Sequence, residues 1–69
     1  MAVFIYETKT QEFKVSLRSK SKVDVNKIAS YFSGGGHVRA AGCTMQGSIY
    51  DVMNNLLEQI EKEIKEKMQ

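Results

Sequence analysis

Several ingredients of common protein classes are absent or scarce in this 69-residue sequence. The single cysteine, Cys43, excludes an internal disulfide framework and a cysteine-rich zinc site, and this cysteine usage favours a cytoplasmic protein. No run approaches the roughly 18 apolar residues of a membrane helix, so no membrane contact is expected. A chain this short forms one small domain with a thin core, which argues against a self-sufficient enzyme with a deep cleft.

Charge is distributed unevenly along the chain. Between Lys9 and Arg39 seven basic and two acidic residues give a net charge of +5, whereas residues 40–69, with three basic and five acidic residues, give −2. The whole chain carries +2. The middle of the chain is therefore expected to attract anions, while its C-terminal part is not.

The pattern of apolar residues predicts an α+β fold. Strands are predicted at Val3–Tyr6, Glu12–Ser19 and Cys43–Gln46, and Thr8–Gln11 is predicted to join the first two. One helix begins at an Asp24 cap and is expected to end at a left-handed Gly34, and a longer helix begins at a Ser48 cap. The predicted order is strand, strand, helix, glycine loop, strand, helix. It forms a small three-stranded sheet, whose third strand could make it mixed, with two main helices packed mainly on one face.

The stretch from Gly34 to Gly42 is the most unusual part of the sequence. Three consecutive glycines cost backbone entropy, and without Cβ atoms their N–H groups could point into one concavity and hold an anion. His37 lies at the rim of this predicted loop, and Arg39 adds a planar fork suited to phosphate. If residues 37–41 formed a helical turn, its N-terminus would add partial positive charge. A flexible turn with a solvent-facing histidine remains an alternative.

Metal binding and catalysis are poorly supported by these residues. His37 is the only histidine, and no cysteine or carboxylate lies at ligand spacing from it. No nucleophile is evidently paired with it either, so ligand contact is the better functional role, with a hydrogen-bonded structural histidine as the alternative. Cys43 is expected to pack as a small apolar residue. Arg18 ends the polar face of the second predicted strand, either as a solvated arginine or within reach of the glycine loop.

Three strings, taken in order and spacing, resemble a known family. They are VSLRSK at Val15–Lys20, the apolar positions within Val25–Ala29, and the GGGH and AAG ends of Gly34–Gly42. Together they resemble the DHH-associated C-terminal domain of DHH/RecJ-like phosphoesterases, especially the bacterial branch with oligoribonuclease (nano-RNase) and pAp-phosphatase activity. The resemblance spans about residues 13–45.

This resemblance implies that residues 1–69 are a DHH-associated substrate-binding domain, a C-terminal fragment separated from its catalytic DHH domain. Manganese and the hydrolytic chemistry would belong to that missing N-terminal domain, because no Asp-His-His sequence occurs in this chain. The fragment is therefore expected to bind without hydrolysing and to need no cofactor of its own. The implied partners are short RNA or nucleotide phosphates and the missing DHH domain, and a homodimer of the parent protein is left open.

The candidate substrate-binding residues come from the same two motifs. The resemblance implies binding roles for Gly34, Gly35, Gly36, His37 and Arg18. Ser19 and Lys20 continue the string beside Arg18 and are included with it. Arg39 occupies a variable position of the family motif, so its candidacy rests on its charge and its guanidinium geometry.

Three other functions stay open at this point. A stand-alone single-stranded nucleic-acid-binding module would use Tyr31, Phe32 or Tyr6 for stacking. A substrate domain for cyclic dinucleotides would bind a related phosphodiester ligand. An interaction domain would use the C-terminal helix. The preferred substrate of the parent protein, whether short RNA, pAp, a cyclic dinucleotide or polyphosphate, is not decided by the sequence.

Overall fold

A computed structural model describes residues 1–68 as a four-stranded antiparallel sheet with two helices. The strand order across the sheet is β1-β2-β4-β3, so β1 and β3 are its edges. Within residues 1–68, neither helix combines the length and the hydrophobicity of a membrane-spanning segment. The elements in chain order are β1 (Ala2–Lys9), β2 (Glu12–Arg18), α1 (Val25–Tyr31), β3 (Gly35–His37), β4 (Ala40–Gln46) and α2 (Ile49–Lys67).

The predicted α+β class and its two helices are confirmed, but the strand count is wrong. The segment expected to be a glycine loop contains β3, a fourth strand paired with Ala40–Gly42 of β4. The turn between them is Val38-Arg39, so residues 37–41 form a hairpin and no helical turn. Glycine is a poor strand former, which is why the sequence pattern missed β3. Pairing with β4 supplies hydrogen bonds that local propensity does not report.

The alternation in β2 separates the sheet into two faces. Phe13, Val15 and Leu17 are buried, and both helices pack on this face against the same core. Opposite them in register lie Met45, Cys43 and Ala41 of β4. The other face of the sheet carries no helix in residues 1–68, and Lys14 and Arg18 of β2 are exposed there. We call this second surface the open face.

Helix α1 begins as predicted and ends differently. The Asp24 side chain caps it by accepting a hydrogen bond from the Lys27 N–H at 3.1 Å. At the other end the left-handed residue is Ser33, with φ 65°, and not Gly34 as expected. The Gly34 N–H donates to the Ala29 carbonyl at 2.9 Å, so Gly34 still contributes to ending the helix.

Helix α2 covers the core and also forms a hydrogen bond with the start of α1. Ser48 caps it by accepting from the Asp51 N–H at 3.1 Å, and Val52, Leu56 and Ile60 are buried in the core. One turn further on, Glu63 is only 3% exposed, and its Oε2 accepts from the Asp24 N–H at 2.9 Å. The position of α1, and with it the adjoining β3–β4 hairpin, therefore depends on α2.

Candidate functional site

The candidate residues of the two sequence motifs meet at one end of the sheet. The Ser19 N–H, directly after β2, donates to the Arg39 carbonyl at 2.9 Å. The Val25 N–H, at the start of α1, donates to the Val38 carbonyl at 3.0 Å. These two hydrogen bonds fix the β3–β4 turn against the end of β2 and the start of α1. The fold thus brings the Arg18–Lys20 string and the His37–Arg39 segment together across 17 or more residues of sequence.

Strand register places Arg18 and His37 in one row. Arg18 lies opposite Ala40, and Ala40 lies opposite His37. Both outer side chains are exposed. Because adjacent strands are about 4.8 Å apart, the two backbones are separated by about 10 Å. Side chains in one row project from the same face, and an arginine side chain can span much of this distance, so both can contact one anionic group or two adjacent ones.

The glycine backbone does not form the cradle of N–H groups expected from the sequence. In an antiparallel strand successive N–H groups point alternately toward and away from the partner strand. Gly35, Gly36 and His37 follow this strand path beside β4, so their amides do not converge on one point. An edge strand still presents every second N–H outward, which leaves part of the backbone of β3 able to donate to a ligand.

The three consecutive glycines have different structural roles. A Cβ on Gly34 would lie 2.2 Å from the Gly42 carbonyl oxygen, so close packing excludes any side chain there. Gly36 has φ 149°, and a Cβ on it would lie 2.6 Å from the Ala40 carbonyl oxygen. At Gly35 a Cβ would meet only the Asn26 side-chain oxygen, at 3.8 Å. The fold therefore requires glycine at positions 34 and 36, whereas a Cβ at position 35 would make only an ordinary van der Waals contact.

The remaining candidates differ in accessibility. Lys20 and Arg39 are exposed beside Arg18 and His37. Ser19 is only 5% exposed, and its hydroxyl accepts a hydrogen bond from the Ser21 N–H at 3.2 Å. The Ser19 hydroxyl thus stabilises the β2–α1 connection, and a contact between Ser19 and a ligand stays a prediction.

Two residues of the open face, Lys14 and Phe4, are not among the site residues predicted from the sequence. Lys14 is exposed on β2 two residues before Ser16, on the same face as Arg18, and Phe4 is exposed on β1. The alternation of β2 was a usable signal for Lys14, whereas the facing of Phe4 follows only from its pairing with Ser16. A shallow cleft of about 580 Å³ continues from Lys14 around the edge of β4, lined also by residues 32–34, 42–44 and Gln46.

Residues with metal or nucleophile chemistry are not grouped at this site. Within residues 1–68 no three His, Cys, Asp or Glu side chains lie close enough together to hold a metal ion. Cys43 is buried on the core face of β4, and its burial raises the pKa of the thiol. These residues do not fit a manganese centre, so no chemical step is assigned to a metal in this chain.

Comparison with known proteins identifies the class. The DHHA1 domain family matches residues 1–66, and the chain belongs to this family, a domain of DHH-family phosphoesterases. The resemblance read from the GGGH and VSLRSK strings is confirmed by this match.

Two particular relatives are similar over most of this chain. The bifunctional oligoribonuclease and PAP phosphatase NrnA of Thermus thermophilus is 39% identical over 64 residues, which is 90% of this chain. The crystal structure of an exopolyphosphatase-related protein from Bacteroides fragilis superposes with a TM-score of 0.77 and 32% identity over 88% of this chain. The chain spans about a fifth of each relative, namely 20% of the first and 18% of the second.

Proposed function

We propose that this chain is the substrate-binding domain of a DHH-family phosphoesterase and that it holds the phosphate groups of a short oligoribonucleotide or of pAp. The observation that carries the proposal is the row formed by Arg18, Ala40 and His37, in which two exposed phosphate-binding side chains flank a small residue. The proposal is supported by the name of the Thermus relative, which joins oligoribonuclease and PAP phosphatase activities.

Electrostatics favours an anionic ligand at this end of the sheet. Lys20 and Arg39 add positive charge beside Arg18, and the segment from Lys9 to Arg39 has a net charge of +5. Arg18 offers two parallel N–H donors to a phosphate, and the His37 ring adds a further donor. An outward N–H of the β3 edge would complete the binding of a phosphate that approaches the glycine backbone closely.

In this proposal binding and bond cleavage are divided between two domains. This chain orients the phosphate, which lowers the entropic cost of the reaction, while a separate DHH domain containing manganese breaks the ester bond. The parent protein would act in the cytoplasm, and no hydrolysis is expected from this chain when manganese is added to it. Turnover of a dinucleotide by the pure 69-residue chain would contradict the division of labour.

An NMR titration of the 69-residue chain with pAp and with inorganic phosphate tests the binding role. With so few phosphate contacts we expect a Kd on the order of 10⁻⁴ M or weaker. Arg18→Ala and His37→Ala should each weaken binding several-fold. Lys65→Ala is the matched control, because Lys65 is exposed near the end of α2, and should bind as the unaltered chain does. Unchanged binding in both site variants would refute the proposal.

A further inference from the structure

Two aromatic side chains stand exposed on the open face without a partner in the core. Phe4 is 57% exposed and Tyr6 is 52% exposed, and neither belongs to the core cluster or to the residues packed against it. They are two residues apart on β1, so their side chains project from the same face about 6.6 Å apart. Aromatic side chains left this exposed on a strand are available for contact with a ligand.

Register places this aromatic pair beside the cationic residues. Tyr6 lies opposite Lys14, and Phe4 lies opposite Ser16, the neighbour of Arg18 on that face. One strand further across, Ser16 lies opposite Gly42. The row of Phe4 therefore continues across the sheet with small residues only, Ser16, Gly42 and Gly35, and it lies directly beside the row of Arg18 and His37. An extended ligand could lie close to the sheet along this row.

We propose that Phe4 and Tyr6 form a stacking platform for the bases of a single-stranded oligonucleotide whose phosphates contact Lys14, Arg18 and His37. This rests on the proposed function and adds to it that the open face binds at least two nucleotides and not an isolated phosphate. Every base can stack on an exposed aromatic ring. The platform would therefore bind an unpaired strand without preferring a particular base.

The charge of the open face favours a single-stranded oligonucleotide over a protein partner. The rows that contain Phe4 and Tyr6 include a lysine and no carboxylate, and the row of Ala2 contains Arg18 and His37. The nearest acidic side chain on this face, Glu12, accepts from the Thr8 hydroxyl at 2.8 Å and pairs with Lys9 at 3.7 Å. Two aromatic rings on β1 beside exposed cationic side chains on β2 are suited to a chain of bases and phosphates.

The test compares a tetraribonucleotide with inorganic phosphate as ligands of the 69-residue chain, followed by NMR. We expect the oligonucleotide to move the ring proton resonances of Phe4 and Tyr6 upfield, the signature of a base stacked on each ring. Phe4→Ala and Tyr6→Ala should each weaken oligonucleotide binding by about 5- to 150-fold and leave phosphate binding unchanged. Tyr50→Ala is the control, since Tyr50 is 76% exposed on α2, and should bind both ligands normally.

Two conservative variants separate stacking from folding. Tyr6→Phe keeps the ring and should retain oligonucleotide binding, whereas Phe4→Leu keeps an apolar side chain on the strand and should lose it. If the alanine and leucine variants bind the oligonucleotide as the unaltered chain does, the platform is refuted while phosphate binding through Arg18 and His37 stands. If neither ligand binds the unaltered chain, the proposed function fails as well. Self-association that is abolished by Phe4→Ala would overturn the proposal in favour of an interface between copies.

Discussion

Alanine substitution at two adjacent glycines should separate what the fold needs from what a ligand needs. Gly36 lies at φ 149°, where a residue with a Cβ is strained, and that Cβ would lie 2.6 Å from the Ala40 carbonyl oxygen and 2.7 Å from the Ala41 Cα. Both neighbours are backbone atoms and cannot turn aside. Gly35 lies outside the left-handed region, and a Cβ there meets a single side-chain atom at 3.8 Å.

The two substitutions are expected to change the free energy of unfolding by different amounts and in different directions. Strain at Gly36→Ala should cost about 1–3 kcal/mol of the free energy of unfolding, before the clash with the β4 backbone is added. A domain of this length has a total stability of about 3–10 kcal/mol, so the loss is a large share. A loss of about 1–3 kcal/mol corresponds to a decrease in melting temperature of about 4–24 °C. Gly35→Ala should leave stability unchanged or raise it by about 0.4–1 kcal/mol, because alanine restricts the unfolded chain.

Thermal and urea unfolding followed by circular dichroism measure the two stabilities, and a pAp titration of each folded variant measures binding. We expect Gly35→Ala to fold normally and to bind pAp more weakly, since under the proposed function its methyl group would obstruct the close approach of a phosphate to the β3 backbone. Equal stability of the two variants would refute the assignment of Gly36 to the fold. Undiminished pAp binding by Gly35→Ala would refute a ligand role for Gly35.

Three further predictions concern the helices and the core. Glu63→Ala should lower the free energy of unfolding by about 1–3 kcal/mol, because the Asp24 N–H loses its buried acceptor, and Glu63→Gln should cost less; equal losses in urea unfolding would contradict this reasoning. Its neighbour Glu66 forms a hydrogen bond with Lys27, which lowers the pKa of Glu66 from 4.5 and raises that of Lys27 from 10.5. The pair therefore contributes fully to stability between pH 4.5 and pH 10.5. This contribution decreases as the pH falls through the lowered pKa of Glu66 or rises through the raised pKa of Lys27, so Glu66→Gln should lower the urea midpoint more at pH 7 than at pH 3. Finally, burial raises the pKa of the Cys43 thiol, so a thiol reagent at pH 8 should label it slowly in buffer and rapidly in urea; equal rates would show that it is accessible.

The local pattern of apolar and capping residues predicted most of the secondary structure. The alternation of Phe13, Val15 and Leu17 predicted a half-buried strand, and Asp24 and Ser48 predicted the starts of both helices, because these signals act within a few residues. The strand β3 was missed since a run of glycines carries no such signal, and its hydrogen bonds come from β4. The left-handed end of α1 falls on Ser33 because Gly34 must pack directly against Gly42.

The features of the candidate site were likewise predictable from the sequence only in part. Composition and short motifs were enough to identify residue types suited to phosphate, the family of the chain and the excess of positive charge between Lys9 and Arg39, because none of these depends on how the chain folds. The folded arrangement was needed to show that Arg18 and His37 share one row, that Ser19 is buried, and that Phe4 and Tyr6 lie opposite Ser16 and Lys14. Those facts follow from strand register, which is set by the pairing of distant segments and by which face of the sheet the helices cover.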